Sequence, residues 1–251
     1  MAIAVDTRSN EALRCLMVGR SDAIALTRQI MLRHNLFSAL SANELDQLLN
    51  HARLESYRAR QEIFHKGSPG LGMLAVLKGS VRISSIGPDG DQVILNVIGE
   101  GEIFGEIALL DGKERTADAT AATDCELLLI DRRDFVPLLR ANPDLAARLL
   151  SVLCDRLRRT TEQVEDMIFL DAGTRLPKRL LRLGEQNRER NKGSGRMIVL
   201  VSQRELGTMI GLSRESINKQ LGAWHREGII KIEEGAIVIL NEDSLRDYAD
   251  S

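Results

Sequence analysis

"GEIFGEIALLDGKERTADATA", residues 101–121, decides how the rest of the chain is read. Apolar, β-type sequence is interrupted here by glycines, by the isolated Glu106, and by the step Arg115-Thr116-Ala117. An arginine carried into an apolar setting needs an anion, because an uncompensated buried charge is costly. A glycine-rich turn offers backbone N–H groups to the same anion. Together they form a trap for one phosphate. The plainer alternative is a structural Arg115–Glu106 ion pair. Such a pair is a poor stabilising device, because buried pairs roughly break even.

Working outward, residues 56–136 consist of short β-rich runs between glycine turns: "MLAVLKGSVRISSI", "GPDGDQ", "VILNVI", "CELLLID". Asp89-Gly90 is a hairpin signal. Strands at this spacing predict a small barrel or β-roll, jelly-roll-like. Upstream, residues 22–55 read as helical, with Ser41 and Glu44 forming a capping box. Residues 1–20 give little signal, either a mobile tail or a short helix. They carry Asp6, Arg8, Glu11 and Arg14 without an apolar core, so no secretion signal is expected.

Downstream, residues 143–170 change to helical period. Ala146, Leu150, Leu153, Leu157, Thr160, Val164 and Met167 step by fours and threes. That is an a/d seam, read as a dimer interface between two copies. Thr160 breaks the seam with a hydroxyl, and Thr161 follows it. The pair bonds either the preceding helical turn or something bound at the interface. Asp171 then caps a basic helix, "PKRLLRLGEQNRER", with Pro177 expected in its first turn.

Residues 201–230, "VSQRELGTMIGLSRESINKQLGAWHREGII", place a Ser202–Glu205 capping box, a helix to Gly211, and a second helix capped by Ser213. Helix, tight glycine turn, helix is the helix-turn-helix unit, and small Gly207 lets the two helices approach. "IIKIEEGAIVIL" reads as a hairpin, a wing. Arg214, Glu215 and Lys219 share one face of the second helix. Arg and Lys read guanine O6/N7, and Glu accepts from cytosine N4. Ser202, Gln203, Ser213 and Ser216 are expected to donate to the DNA backbone. The alternative is two helices and a hairpin serving only as scaffold.

Charge agrees with this division. Of the 251 residues, 1–172 carry 20 Lys+Arg against 25 Asp+Glu, whereas 173–231 carry 13 against 5. One module meets a polyanion and the other does not. Cys15, Cys125 and Cys154 are widely separated, so neither a disulfide framework nor an Fe–S cluster is expected, and a reducing cytoplasm is the natural setting. The four histidines lack ligand spacing, and no inward His/Glu set suggests a β-roll metal enzyme. No metal, no membrane span and no enzymatic activity are expected.

These motifs resemble the Crp/Fnr transcription regulators, in their cyclic-AMP receptor branch. "FGEIALL…ERTA" resembles that family's phosphate-binding cassette, "RLRRTTEQVEDMIFLD" its dimerisation helix and hinge, and "GLSRESINKQL" its recognition helix. The resemblance spans about residues 35–240. It implies an α+β chain: an N-terminal extension (1–28), a cyclic-nucleotide-binding β-roll (29–142), a dimerisation helix and hinge (143–172), and a winged helix-turn-helix (173–251).

Carried over, Arg115 pairs with a cyclic phosphate, cradled by the backbone at Gly105, Ile107 and Ala108, with Thr116 and Ala117 also at the nucleotide. Glu106 accepts from the ribose 2′-hydroxyl, while Ile83, Leu95 and Asn96 line the pocket. Arg156 reaches toward Glu106 and the ligand, and Thr160 and Thr161 meet the base, one from each subunit of a homodimer. Thr116 stands where the cyclic-AMP receptor usually has serine, which makes cyclic GMP a second candidate ligand beside cyclic AMP. Lys219 replaces an arginine of the recognition helix, so outer half-site reading is relaxed, while Arg214 and Glu215 keep a palindromic TGTGA-like core. Lys178, Arg179 and Arg182 are expected to make DNA-backbone contacts. The loop Arg188–Arg196 lies where the family touches RNA polymerase. Within the family, an effector-independent or haem-sensing member is the runner-up, and colourless purified protein would exclude haem.

Overall fold

The computed structural model of this protein describes residues 28–29, 31–32, 36–88, 90–190, 197–233 and 236–250. Residues 1–27, 30, 33–35, 89, 191–196, 234–235 and 251 lie outside the described residues, and with them most of the expected N-terminal extension, part of the expected polymerase-contacting segment and the middle of the expected wing. The chain divides into two compact units. One joins the segment ending at Arg82 to Val97–Val152, and the other joins Ile83–Asn96 to the segment starting at Leu153.

In the first unit, a 3-10 turn at Phe37–Ala39 leads into α1 (Ala42–His51). The capping box forms: Ser41 Oγ accepts from the Glu44 amide at 3.3 Å, and Glu44 Oε2 accepts from the Ser41 amide at 2.8 Å. The expected helix over 22–55 ends early. Ala52 is extended, and Arg53–Tyr57 is strand β1. Its residues Arg53, Leu54 and Glu55 pair antiparallel with Leu129, Leu128 and Leu127. Long-range sheet pairing outweighs a local helical pattern here.

The strands are β2 (Glu62–Phe64), β3 (Gly72–Lys78), β4 (Ser80–Ile86), β5 (Gln92–Gly99), β6 (Ile103–Phe104), β7 (Asp118–Ala121) and β8 (Cys125–Asp131). They form two four-stranded sheets, ordered β1-β8-β3-β6 and β2-β7-β4-β5. This is the expected β-roll. β3 is buried on both faces, which explains its continuous apolar run. Inside the glycine-rich stretch, Glu106–Asp111 forms a short helix, α2, rather than a turn. Gly105 and Gly112, both left-handed with φ of 78° and 74°, bound it. Helices α3 (Arg132–Ala141) and α4 (Pro143–Phe169) follow. Leu145 and Leu149 of α4 pack with Phe37, Leu45, Leu109 and Phe135 in one core.

The second unit is built on α5 (Ala172–Arg190). Asp171 Oδ1 accepts from the Thr174 amide at 3.0 Å, as a cap should. Pro177 is not in the first turn, because capping by Asp171 starts the helix at Ala172 and leaves the proline inside it. Next come β9 (Met197–Val199), α6 (Gln203–Ile210), α7 (Arg214–Arg226), β10 (Ile230–Glu233), β11 (Ala236–Ile239) and α8 (Glu242–Ala249). The three strands form an antiparallel sheet ordered β10-β11-β9. Ile217, Leu221 and Trp224 bury one face of α7, and Trp224 packs against Tyr248 with ring centroids 5.5 Å apart.

The crossing of α6 and α7 depends on Gly207. A Cβ there would lie 2.6 Å from the Leu212 carbonyl oxygen. Gly207→Val should therefore destabilise this unit by about 2 kcal/mol. Urea unfolding of the full chain would show it as a lowered midpoint at unchanged slope, and an unshifted midpoint would contradict it.

Candidate functional site

The first candidate site lies around α2. Gly105 turns the chain so that α2 begins with Glu106, which is 1% exposed. The first turn of a helix leaves its amides without intrahelical acceptors. Those of Ile107 and Ala108 have none among the described residues. Arg115, 8% exposed, enters the same place from the loop before β7. Its own backbone is locked to the loop after β2: its amide donates to Ser68 O at 2.8 Å, and its carbonyl accepts from Gly67 N at 2.9 Å.

The Arg115 guanidinium is held on two sides. Nη1 donates to Gly105 O at 2.8 Å. Its Cζ sits 4.2 Å over the ring of Phe64, which leans on Phe104 at 5.8 Å. A side chain at Gly105 would collide with Nη1, so both the positive φ and the close approach demand glycine there. Nε is buried and makes no hydrogen bond among the described residues. Burial pushes this guanidinium below its ordinary pKa, and the charge of Glu106 pushes it back up. The result is an aimed, incompletely compensated cation beside a helix start, suited to one anionic group.

Of the expected ligand residues, Gly105, Glu106, Ile107, Ala108, Arg115, Thr116 and Ala117 thus cluster in the first unit. Thr116 is exposed, and its hydroxyl has no partner among the described residues. Ile83, Leu95 and Asn96 lie on the β4–β5 hairpin, and Arg156, Thr160 and Thr161 on α4; both segments belong to the second unit. Both threonine hydroxyls bond the preceding helical turn. Thr160 Oγ1 donates to Arg156 O at 2.9 Å, and Thr161 Oγ1 donates to Leu157 O at 3.0 Å.

On α4 the seam residues form an apolar row in water. Leu150, Leu157, Val164 and Met167 are 61%, 68%, 50% and 49% exposed, while Leu153 is partly buried. Large apolar side chains at heptad spacing on an exposed helix mark an interaction surface.

The second candidate site is on the helix pair. Arg214, Glu215, Ser216 and Lys219 are exposed on the face of α7 opposite its buried stripe. Arg214, Glu215 and Lys219 side chains have no ion pair or hydrogen bond among the described residues. The serines serve caps: Ser202 Oγ accepts from the Glu205 amide, and Ser213 Oγ from the Ser216 amide, both at 3.2 Å. Ser202, Gln203, Arg204, Arg214 and strand residues Ile232 and Ala236 line a groove of about 370 Å³. Of the expected DNA-backbone residues on α5, Lys178 Nζ pairs with Asp166 at 2.6 Å, Arg182 Nη2 pairs with Glu162 at 2.7 Å, and Arg179 Nη2 lies 3.5 Å from Met209 Sδ.

Two residues escaped sequence reading. Phe64 reaches Arg115 only through the β2–β7 pairing, Phe64 opposite Ala119, which no local pattern announces. Arg204 was legible, as the second residue of a helix whose cap was already placed.

Comparison with known proteins follows the same division. The cyclic nucleotide-binding domain family matches residues 54–142, and the Crp-like helix-turn-helix domain family matches residues 174–248. The cAMP-activated global transcriptional regulator CRP of Haemophilus influenzae is 32% identical over 196 residues, 78% of this chain and 87% of that protein. A CRP-like cAMP-activated global transcriptional regulator of Mycobacterium tuberculosis is 29% identical over 217 residues, 86% of this chain and 97% of that protein. A solved transcriptional regulator of the CRP/FNR family from Thermus thermophilus is 29% identical, with a TM-score of 0.62, covering 79% of this chain and 99% of that one. Among the described residues no helix is long and apolar enough to cross a membrane, and no cluster of three metal-ligating side chains occurs.

Proposed function

This chain belongs to the Crp/Fnr family of cyclic-nucleotide-binding transcription regulators, and from that premise we propose that it acts as a homodimer switched by cyclic AMP onto a palindromic TGTGA-like site. The observation that carries the reading is Arg115, buried, fixed by Gly105 and Phe64, and with Nε unsatisfied. Its fork pairs with the cyclic phosphate, the amides of Ile107 and Ala108 add to it, and Glu106 accepts from the ribose 2′-hydroxyl. The hydroxyl protons of Thr160 and Thr161 are committed to their own helix, so outward they present lone pairs. The adenine N6 amine donates to such acceptors, and guanine O6 does not.

A second reading has its own support. The exposed, unpartnered Thr116 hydroxyl suits the guanine N2 amine, so cyclic GMP is a competing ligand. The ligand acts by differential affinity for the DNA-competent arrangement. Two recognition helices, α7 from each copy, enter major grooves one turn of DNA apart, ~34 Å. Arg214 and Glu215 read bases, while Gln203, Arg204 and the capping serines face the backbone. The chain works in the cytoplasm beside its operator, and RNA polymerase is its proposed partner there.

Calorimetric titration with each nucleotide, repeated with a labelled TGTGA–TCACA duplex, tests this. Cyclic AMP should bind and raise duplex affinity, while cyclic GMP should bind with little gain in duplex affinity. Equal promotion by both would make this a dual-ligand regulator, with the Thr116 hydroxyl as the reason that guanine is accepted. No binding of either would refute the phosphate reading of Arg115.

A further inference from the structure

A cavity of about 30 Å³ lies apart from both candidate sites, walled by the C-terminal half of α4, by α5 and by the end of α6. That is more than the ~10–15 Å³ one water needs. Its wall carries four cations, Arg175, Lys178, Arg179 and Arg182, against one carboxylate, Asp166. Lys178 and Arg182 are paired with Asp166 and Glu162. Arg179 is not paired. Its Nη2 lies 3.5 Å from Met209 Sδ, a weak acceptor, and its Nε is buried with no hydrogen-bond partner among the described residues. Burial pushes Arg179 down to about 10. The neighbouring charge of Arg182 pushes the same way, and Asp166 only partly opposes it. Met167, Met209 and Ile210 complete the wall with apolar surface. A desolvated cation that a second cation repels and no carboxylate matches is stabilised by an anion.

We propose that this cavity is a second anion site, taking one inorganic oxyanion of the phosphate class on Arg179, with Arg175 as its neighbour. The anion is a free one rather than a DNA phosphate, because the cavity shares no lining residue with the groove of α6 and α7. Bound there, it offsets the Arg179–Arg182 repulsion and ties α4, α5 and α6 together within this unit. The site stands independently of the cyclic-nucleotide reading.

The test is calorimetry of the full-length chain with inorganic phosphate, at constant ionic strength balanced with chloride, comparing wild type with Arg179→Met. Any phosphate held at Arg115 is common to both proteins and cancels. Wild type should show a saturable phosphate site whose affinity falls at least about tenfold in Arg179→Met. If that variant does not fold, Arg175→Gln should weaken the same site about threefold. Unchanged phosphate affinity in a folded variant, or no saturable binding in wild type, would overturn the proposal and leave water as the occupant.

Discussion

Arg115→Leu should weaken cyclic AMP binding by about a thousandfold, the cost of removing one partner of a buried, hydrogen-bonded charge pair. The geometry explains why so much rests on one residue. Its guanidinium is positioned before any ligand arrives, by Gly105 O at 2.8 Å and by the Phe64 ring at 4.2 Å. Little ordering cost is then left for the ligand to meet. Arg115→Lys separates charge from shape. It keeps a cation beside Glu106, and so keeps the fold, but loses the planar fork. Its affinity should fall about a hundredfold, at a melting temperature near that of wild type. Calorimetry and thermal unfolding on both variants check this. Wild-type affinity in Arg115→Leu would remove Arg115 from the site.

Leu157→Glu should abolish tight operator binding. Leu157 is 68% exposed in the single chain and sits mid-seam, so in a dimer its replacement buries a carboxylate against its own copy. The protein should sediment as a monomer. Palindrome affinity should fall by about 10²–10⁴, because the second half-site no longer meets a tethered reader. Arg158→Glu, also exposed on α4 but off the seam, is the control and should stay dimeric. A dimeric Leu157→Glu protein would place the interface elsewhere.

What was legible from sequence was what is local. Capping boxes at Ser41–Glu44 and Ser202–Glu205 are three-residue patterns, and both form. The seam of α4 is a periodicity, and the helix spans it from Pro143 to Phe169. Glu106–Asp111 was harder. Six residues between glycines are too few to show a helical period, and they read as turn. Arg53–Tyr57 has a helix-compatible composition, and its strand identity comes from β8, more than seventy positions away at its first pair. At the candidate site, Glu106 and Arg115 were visible as odd residues in apolar sequence. Phe64 was not, because one more aromatic in a strand looks like core. The ion partners of Lys178 and Arg182, Asp166 and Glu162, were not legible either, because charge alone does not tell which way a long side chain turns.

The internal caps of the helix pair carry a kinetic consequence. Ser202 and Ser213 close their helices with the chain's own amides, and Trp224 anchors α7 from behind. The helix pair is therefore held by contacts within its own chain, and on the proposed function it would meet DNA already assembled. Its exposed cations, Arg214 and Lys219, should then let the unliganded chain skim along nonspecific duplex, dwelling longer as salt falls. On the proposed function, effector would then shorten the search at its last step, by converting passing contact into residence, rather than by sending an otherwise idle protein to the chromosome.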